Sequence, residues 1–236
     1  MTTLEGQITI RLDPRNGGVA RIQVKRPLGV ARILRGKAIS EALAVIPLLY
    51  NVCGMAQSQA AARAIASAAP ETAPDAATET ARRVLVLAES AREHIARITL
   101  DWPRLFAWPD NPRPLPWLGS ALPDFRKSLF GASPPFQPAS RATPDKATAQ
   151  SLTRKLDNLL RRDILGAPPE EWLTIDSLAA LENWRQRAPG QAARAIAYIL
   201  KQNLAAQGAC GCRPLPEKLP DDELAAQLSA ADANAF

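Results

Sequence analysis

Residues 79–101 read ETARRVLVLAESAREHIARITLD, and this stretch decides the class of fold. Its apolar side chains recur at steps of three and four residues, at Val84, Leu87, Ala91, Ile95 and Ile98. Such spacing lines one face of an α-helix, and arginine and glutamate fill the other faces. We therefore predict one long amphipathic helix over these residues, with Thr78 or Thr80 as its N-terminal cap.

Two more helices are predicted on the N-terminal side of this stretch. The first starts near Ile39, and its apolar residues continue at helical spacing as far as Cys53. Pro47 should kink this helix or mark its first turn. Gly54 separates it from a second helix of small residues over 56–66, and residues 70–77 are expected to form a loop.

The start of the chain has the pattern of a β-hairpin. Residues 7–12 and 19–24 alternate between polar and apolar side chains, and the connection between them contains Asn16-Gly17. This dipeptide adopts positive φ at low cost, as tight hairpin turns require. No other segment reads clearly as strand, so the predicted fold is mostly α with a small N-terminal β-hairpin.

A proline-rich segment, residues 102–142, follows the long helix and contains three of the five tryptophans. We predict no regular element through it, an ordered irregular wrap over its first part and disorder near residues 133–143. Helices should resume over 145–163, 170–172, 175–187 and 191–207. The predicted division is hairpin and basic segment (1–30), helical core (31–106), Pro/Trp-rich irregular segment (107–143), C-terminal helices (144–208), and cysteine-containing loop with acidic tail (209–236).

Composition excludes several classes of protein. The 236 residues contain apolar runs no longer than that at 42–50, whereas a bilayer span needs about 20 residues. No basic-then-apolar leader opens the chain, and three cysteines fit a reducing compartment, so we expect a cytoplasmic protein. A single histidine, His94, argues against most zinc enzymes and triad hydrolases. Phosphate-binding glycine loops are also absent from the sequence.

The cysteines are the candidate functional residues. Cys53 stands just before a glycine at the end of an apolar helix face, so its thiol can be turned toward a pocket or a metal. The alternative is a small buried apolar residue. Cys210 and Cys212 form a close thiol pair that suits either metal or redox chemistry or an incidental loop. His94 is expected to be a partly buried structural residue.

The net charge of +6 is concentrated at the N-terminus, where residues 1–50 hold eight basic and three acidic residues. Around the end of the hairpin the basic side chains are Lys25, Arg26, Arg32 and Arg35. They form either a solvated face or a docking face for an acidic partner.

Several short segments together resemble a known family. They are the opening hairpin, LRGK at 34–37, SEAL at 40–43, PLLY at 47–50, CGMAQ at 53–57, AAA at 60–62, REH at 92–94 and LDWPRL at 100–105. They are similar to the N-terminal part of NiFe-hydrogenase large subunits and, more closely, to the non-catalytic accessory proteins of the HupK/HoxV type. The resemblance covers roughly residues 7–69 and 79–106, and it implies a helical bundle like a cut-down large subunit.

The family comparison also shows which metal ligands the sequence lacks. Large subunits bind their Ni–Fe centre through an Arg-Ile-Cys-Gly-x-Cys motif and a C-terminal Asp-Pro-Cys-x-x-Cys motif. Here Cys53 matches the first cysteine, but Asn51, Ala56 and Ala60 stand where the arginine, the second cysteine and a histidine are expected. The C-terminal motif is missing. We therefore expect no enzyme and no nickel.

The resemblance implies an assembly role for the remaining thiolate. It suggests a scaffold or carrier for the Fe(CN)2CO iron fragment. The expected partners are HypC/HypD-like maturation proteins and the apo hydrogenase large subunit, and no membrane partner is expected. Cys53 would be the iron-fragment ligand, with Cys210 and Cys212 as possible additions. Two alternatives stay open: a metal-free adaptor that recruits maturation proteins, and a basic helical nucleic-acid-binding protein, against which the scattered Lys and Arg argue.

Overall fold

The computed structural model describes residues 6–13, 15, 19–25, 30–207, 220 and 222, and its first element is an antiparallel β-hairpin. Strands β1 (Gln7–Asp13) and β2 (Val19–Lys25) pair in the register that sets Ile10 opposite Ile22. Because side chains alternate between the two faces of a strand, the apolar ones share one face. That face is uncovered, with more than half of each of these side chains exposed: Ile8, Ile10, Leu12, Ile22 and Val24.

Nine α-helices follow in the described part of the chain. They are α1 (Ile39–Leu49), α2 (Gly54–Ala68), α3 (Ala76–Ala96), α4 (Trp102–Phe106), α5 (Leu115–Phe130), α6 (Lys146–Leu159), α7 (Pro169–Trp172), α8 (Leu178–Arg187) and α9 (Gln191–Lys201). Short 3-10 helices lie at Val30–Leu34 and Pro70–Thr72, and π-helical turns at Arg97–Asp101 and Leu160–Leu165 extend α3 and α6. The predicted class, mostly α with a small N-terminal hairpin, is confirmed.

Helix α3 is the central helix, since it packs against both α2 and α5. The long helix predicted from residues 79–101 is confirmed, and four of the five apolar residues predicted on its inner face are buried or partly buried against the core: Val84, Ala91, Ile95 and Ile98. Leu87, placed on that face by its spacing, is 66% exposed, whereas Leu85 is fully buried. Arg82 and Glu89, predicted to face solvent, are buried as well. Both find polar partners inside the fold, which removes the cost of burying them.

The N-terminal cap of α3 also differs from the prediction of Thr78 or Thr80. Asp75 is the capping residue, and its side chain accepts a hydrogen bond of 2.7 Å from the backbone N–H of Thr78. The Thr78 hydroxyl is buried and accepts instead from the N–H of Ala142. Thr80 donates its hydroxyl hydrogen to the carbonyl of Ala76 within the helix. Both threonines therefore serve other contacts.

The prediction that no regular element runs through residues 102–142 is wrong, because α4 and the 16-residue α5 lie there. Pro114 and Pro116 fall at the start of α5, where the first N–H groups need no partner within the helix. Pro123 lies inside α5, and the carbonyl that it leaves without a donor belongs to Gly119, which is exposed to water. The prolines therefore begin this helix rather than prevent it.

The disorder predicted near residues 133–143 is likewise corrected. This segment is irregular but fixed to the helices on both sides. Arg82 donates two hydrogen bonds into it, to the carbonyl oxygens of Pro135 (2.8 Å) and Gln137 (2.9 Å). Phe136 is buried in the apolar core with Leu85 of α3 and with residues of α5 and α6. Specific long-range partners, which local composition does not reveal, hold the segment in place.

Residues 1–194 and 195–236 form two compact units, and every contact discussed below lies within the first. Its apolar core has two clusters, one around Leu85 and Phe130 and one around Ile95 and Trp117. The domain boundaries suggested by the sequence stay a prediction. Within the described residues, no helix is both long enough and apolar enough to cross a membrane.

Candidate functional site

The sequence-predicted cysteine lies at the junction between α1 and α2. Cys53 is the residue immediately before α2, and its carbonyl accepts the first hydrogen bond of that helix, from the N–H of Gln57 at 3.0 Å. Its side chain is half-buried, so it is neither sealed in the core nor fully in solvent. Cys53 is thus not fully buried, and its role as a ligand stays a prediction.

Gly54 allows the two helices to meet closely at this junction. A Cβ atom placed on Gly54 would lie 3.2 Å from both Cα and Cβ of Pro47, in the last turn of α1. Contacts this short are rare, and the backbone of Pro47 cannot move aside without shifting α1. The predicted separation into two helices is confirmed, but α1 already ends at Leu49, and Gly54 is the first residue of α2 rather than the break itself.

A buried glutamate from α3 closes the N-terminus of α2. Glu89 is only 5% exposed, and its two carboxylate oxygens accept hydrogen bonds from the backbone N–H groups of Met55 (2.8 Å) and Ala56 (3.0 Å). These are the second and third residues of α2, whose N–H groups have no partner inside the helix. Cys53 offers no side-chain cap, so Glu89 supplies from another helix what a capping residue normally supplies locally.

The contact with Glu89 combines two hydrogen bonds with a helix terminus. Both oxygens act as acceptors, and the positive end of the α2 dipole lies against them. Within the described part of the chain, no lysine or arginine forms an ion pair with Glu89. Burying a carboxylate is costly unless hydrogen bonds compensate it, so the two N–H groups and the helix terminus must provide that compensation. The residues next to Cys53 are thus held by an anchor in the core.

A cavity of about 350 Å³ opens beside the same junction. Its walls come from α1, α2, α5 and the 134–137 segment; the lining includes Pro47, Met55, Ser58, Arg126 and Phe136. Cys53 itself is not among the lining residues. Ser58 is almost fully buried, and its hydroxyl has no hydrogen-bond partner among the described residues.

Arg82 does not line this cavity but holds one of its walls in place. By holding the carbonyls of Pro135 and Gln137, it fixes the segment that forms one wall. Its guanidinium also lies 5.9 Å from the centre of the Phe136 ring, within reach of a cation–π interaction. Burial lowers the pKa of Arg82, and the nearby Glu79 carboxylate partly offsets that effect.

The other predicted site residues are not brought to this junction. Cys210, Cys212 and Arg26 lie outside the described residues. His94, predicted to be partly buried, is exposed on α3, because Ile95 takes the inward position beside it. Among the described residues, no three His, Cys, Asp or Glu side chains lie close enough to hold a metal ion.

Lys25, Arg32 and Arg35 are all exposed, which agrees with both a solvated and a docking face. Sequence reasoning missed Glu89 and Arg82. Each is an ordinary charged residue of an amphipathic helix, and neither has a local pattern that marks it as buried.

Comparison with known proteins gives two matches among curated proteins. The chain is 37% identical over 111 residues to the hydrogenase expression/formation protein HupK of Rhodobacter capsulatus, a match that covers 46% of this chain and 33% of that protein. It is 30% identical over 180 residues to the hydrogenase expression/formation protein HoxV of Cupriavidus necator, covering 75% of this chain and 42% of that protein.

The chain thus matches less than half the length of either relative. No family model matches the sequence, and no solved structure matches the fold. The resemblance predicted from residues 7–69 and 79–106 is nevertheless confirmed by these two matches. The chain is therefore similar to the hydrogenase expression/formation proteins of the HupK/HoxV type.

Proposed function

We propose that this chain is a non-catalytic accessory protein of NiFe-hydrogenase maturation, and that Cys53 holds the Fe(CN)2CO fragment as transient cargo. The names of the two relatives support the accessory role. The observation that carries the site is the half-buried thiol of Cys53, presented at a junction that Gly54 and Glu89 fix in place. The proposal places the protein in the cytoplasm, where free thiols persist.

A single protein thiolate suits a carrier. Low-spin iron bearing cyanide and CO accepts soft sulfur ligands, and one protein ligand leaves the fragment easy to release. Transfer is then a ligand exchange: Cys53 loses its proton, its Fe–S bond forms, and the Fe–S bond to the donor thiolate breaks. The donor thiolate takes up a proton, and no electron is transferred. Delivery to the apo large subunit repeats the exchange in the other direction.

The partners in this proposal are HypC/HypD-like proteins as donors and the apo hydrogenase large subunit as acceptor. The test is anaerobic co-purification with these partners, followed by infrared spectra in the CN and CO stretching region. We expect bands for the wild type and for a Cys210→Ser/Cys212→Ser variant, and none for Cys53→Ser. Bands that persist in Cys53→Ser refute the Cys53 assignment, and their absence under every condition refutes the carrier role.

A metal-free adaptor is the second candidate, and the bare face of the hairpin favours it. Five large apolar side chains are exposed together there, an arrangement that commonly marks a protein-binding surface. Arg11, Arg21 and Lys25 lie on the opposite face, so the fitting partner presents an apolar strip to the exposed apolar face. In this reading the chain recruits maturation proteins without touching the iron.

Paired substitutions on the two faces of the hairpin separate the candidates. Ile10→Thr with Ile22→Thr should abolish co-purification with the maturation partners if the apolar face docks them. Thr9→Ala with Gln23→Ala changes the neighbouring pair on the opposite face and serves as the control. Loss of partners in the first variant, together with no CN or CO bands in the wild type, would establish the adaptor role alone.

A further inference from the structure

A second cavity, of about 390 Å³, lies between the start of α5 and the end of α6. Volumes of this size are typical of small-molecule sites. One wall is apolar and consists of Pro116, Trp117 and Leu159. The other lining residues are polar or charged: Arg113, Ser120, Lys155, Asn158, Arg162 and Asp163.

The charge of this cavity is strongly positive. Three cations and one carboxylate line it, a formal excess of two positive charges. Lys155 forms no ion pair within the described part of the chain. A cavity with this excess attracts a dianion and concentrates it from solution.

Asp163 pairs with the two arginines at the rim. Its side chain is only 3% exposed, and its two oxygens lie 3.7 Å from Nη1 of Arg113 and 3.4 Å from Nη2 of Arg162. The arginine side chains themselves remain about 70% exposed, so most of their N–H donors are available. A buried carboxylate thus lies between two exposed guanidinium groups and keeps both near the mouth of the cavity.

Two further features lie in the same walls. Arg162 and Asp163 belong to the π-helical turn Leu160–Leu165, a rare geometry that occurs frequently at functional sites. Trp117 is buried, and its indole N–H has no acceptor among the described residues. The indole nitrogen is itself shielded from solvent, so Trp117 contributes its ring rather than its N–H to the cavity wall.

We propose that this cavity binds a small organic phosphate monoester. The two guanidinium groups and Lys155 match a phosphate dianion in charge and in hydrogen-bonding geometry. The apolar wall of Pro116, Trp117 and Leu159 accepts the organic part of the molecule. This site shares no residue with the Cys53 junction, so it stands whether or not the iron-carrier proposal holds.

Phenyl phosphate is the probe for calorimetric titration of the whole protein, with inorganic phosphate and phenol as separate arms. We expect phenyl phosphate to bind more tightly than either, and to weaken as salt is raised. Arg162→Gln and Lys155→Gln should each weaken binding about tenfold or more, since each removes a charged hydrogen-bond donor. Equal affinity for inorganic phosphate would show an anion site without an organic pocket and would overturn the ester assignment.

Arg161→Gln is the matched control, because Arg161 pairs with Asp157 and does not line the cavity. If it weakens binding as much as Arg162→Gln, the effect comes from net charge alone and the proposal fails. The indole N–H resonance of Trp117, assigned with Trp117→Phe, gives an independent measurement. It should shift on titration with phenyl phosphate, and no binding at millimolar concentrations together with an unmoved resonance overturns the site.

Discussion

Glu89 should be the most sensitive single residue at the Cys53 junction, and Glu89→Gln is the change that tests it. The substitution keeps the size of the side chain and one acceptor oxygen. It places an amide NH2 group where the second oxygen accepted a hydrogen bond, so one of the N–H groups of Met55 and Ala56 loses its partner. It also removes the negative charge from the N-terminus of α2.

The expected loss follows from these contacts. A hydrogen bond to a charged group contributes about 1.5–3 kcal/mol, and a charge at a helix N-terminus contributes about 0.3–1 kcal/mol. The neutral amide is less costly to bury than a carboxylate, which offsets part of the loss. We expect Glu89→Gln to lower the free energy of unfolding by about 2 kcal/mol, leaving a folded protein. Glu89→Ala, which removes both acceptors, should cost more.

Urea denaturation followed by far-UV circular dichroism measures this loss. Glu93→Gln is the matched control, because Glu93 lies one turn further along α3, is partly exposed and pairs with Arg92. Such a pair contributes at most about 1 kcal/mol. In a Cys210→Ser/Cys212→Ser background, Glu89→Gln should also speed alkylation of Cys53, since the first turn of α2 opens more often. Equal stability of the two glutamine variants, with equal alkylation rates, would refute the capping role of Glu89.

Three further outcomes follow from the structure. Arg82→Met should lower the free energy of unfolding by about 3 kcal/mol, because two buried hydrogen bonds are lost. It should also raise the rate of hydrogen exchange over residues 133–143. Unchanged exchange there would show that Arg82 does not hold this segment in place. Hydrogen bonds from Thr78, first its backbone N–H and then its hydroxyl, lower the pKa of Asp75 below 3.8, so the stabilisation by this cap is present above pH 3.8 and is lost as pH falls through the lowered pKa. The difference in unfolding free energy between wild type and Asp75→Ala should therefore shrink below that pH, and a difference that stays constant down to about pH 2 would contradict this. Gly54→Ala should destabilise the protein by about 1 kcal/mol through overpacking against α1. Gly119→Ala has open space around the added methyl and should stabilise it by about 0.5–1 kcal/mol. A change of the same sign for both variants in thermal melts would contradict the close approach of Gly54 to Pro47.

Local patterns in the sequence were enough to predict the hairpin, the long helix over residues 79–101 and the separation into two helices near Gly54. Each depends on neighbours within a few residues: alternation for strands, steps of three and four for helices, and the backbone freedom of glycine. The proline-rich segment shows where composition misleads. Its prolines were read as breakers throughout, but two of them occupy the first turn of α5, where proline is tolerated.

The candidate site was predicted only in part. Cys53 and its junction were identified from the sequence, because a cysteine before a glycine is a local feature. Glu89 was not, since its partners lie more than 30 residues away along the chain. The same holds for Arg82, whose carbonyl partners are more than 50 residues distant.

The sequence by itself therefore determined most of the helices and strands, and it identified the cysteine that lies immediately before α2. Only the tertiary structure decided that Arg82 and Glu89 of α3 are buried, that the 133–143 segment is held in place, and that two cavities flank α5. The physical reason is the range of the interactions. Secondary structure is set by contacts between near neighbours, whereas a charged side chain is buried only where a distant segment brings the hydrogen bonds that compensate it.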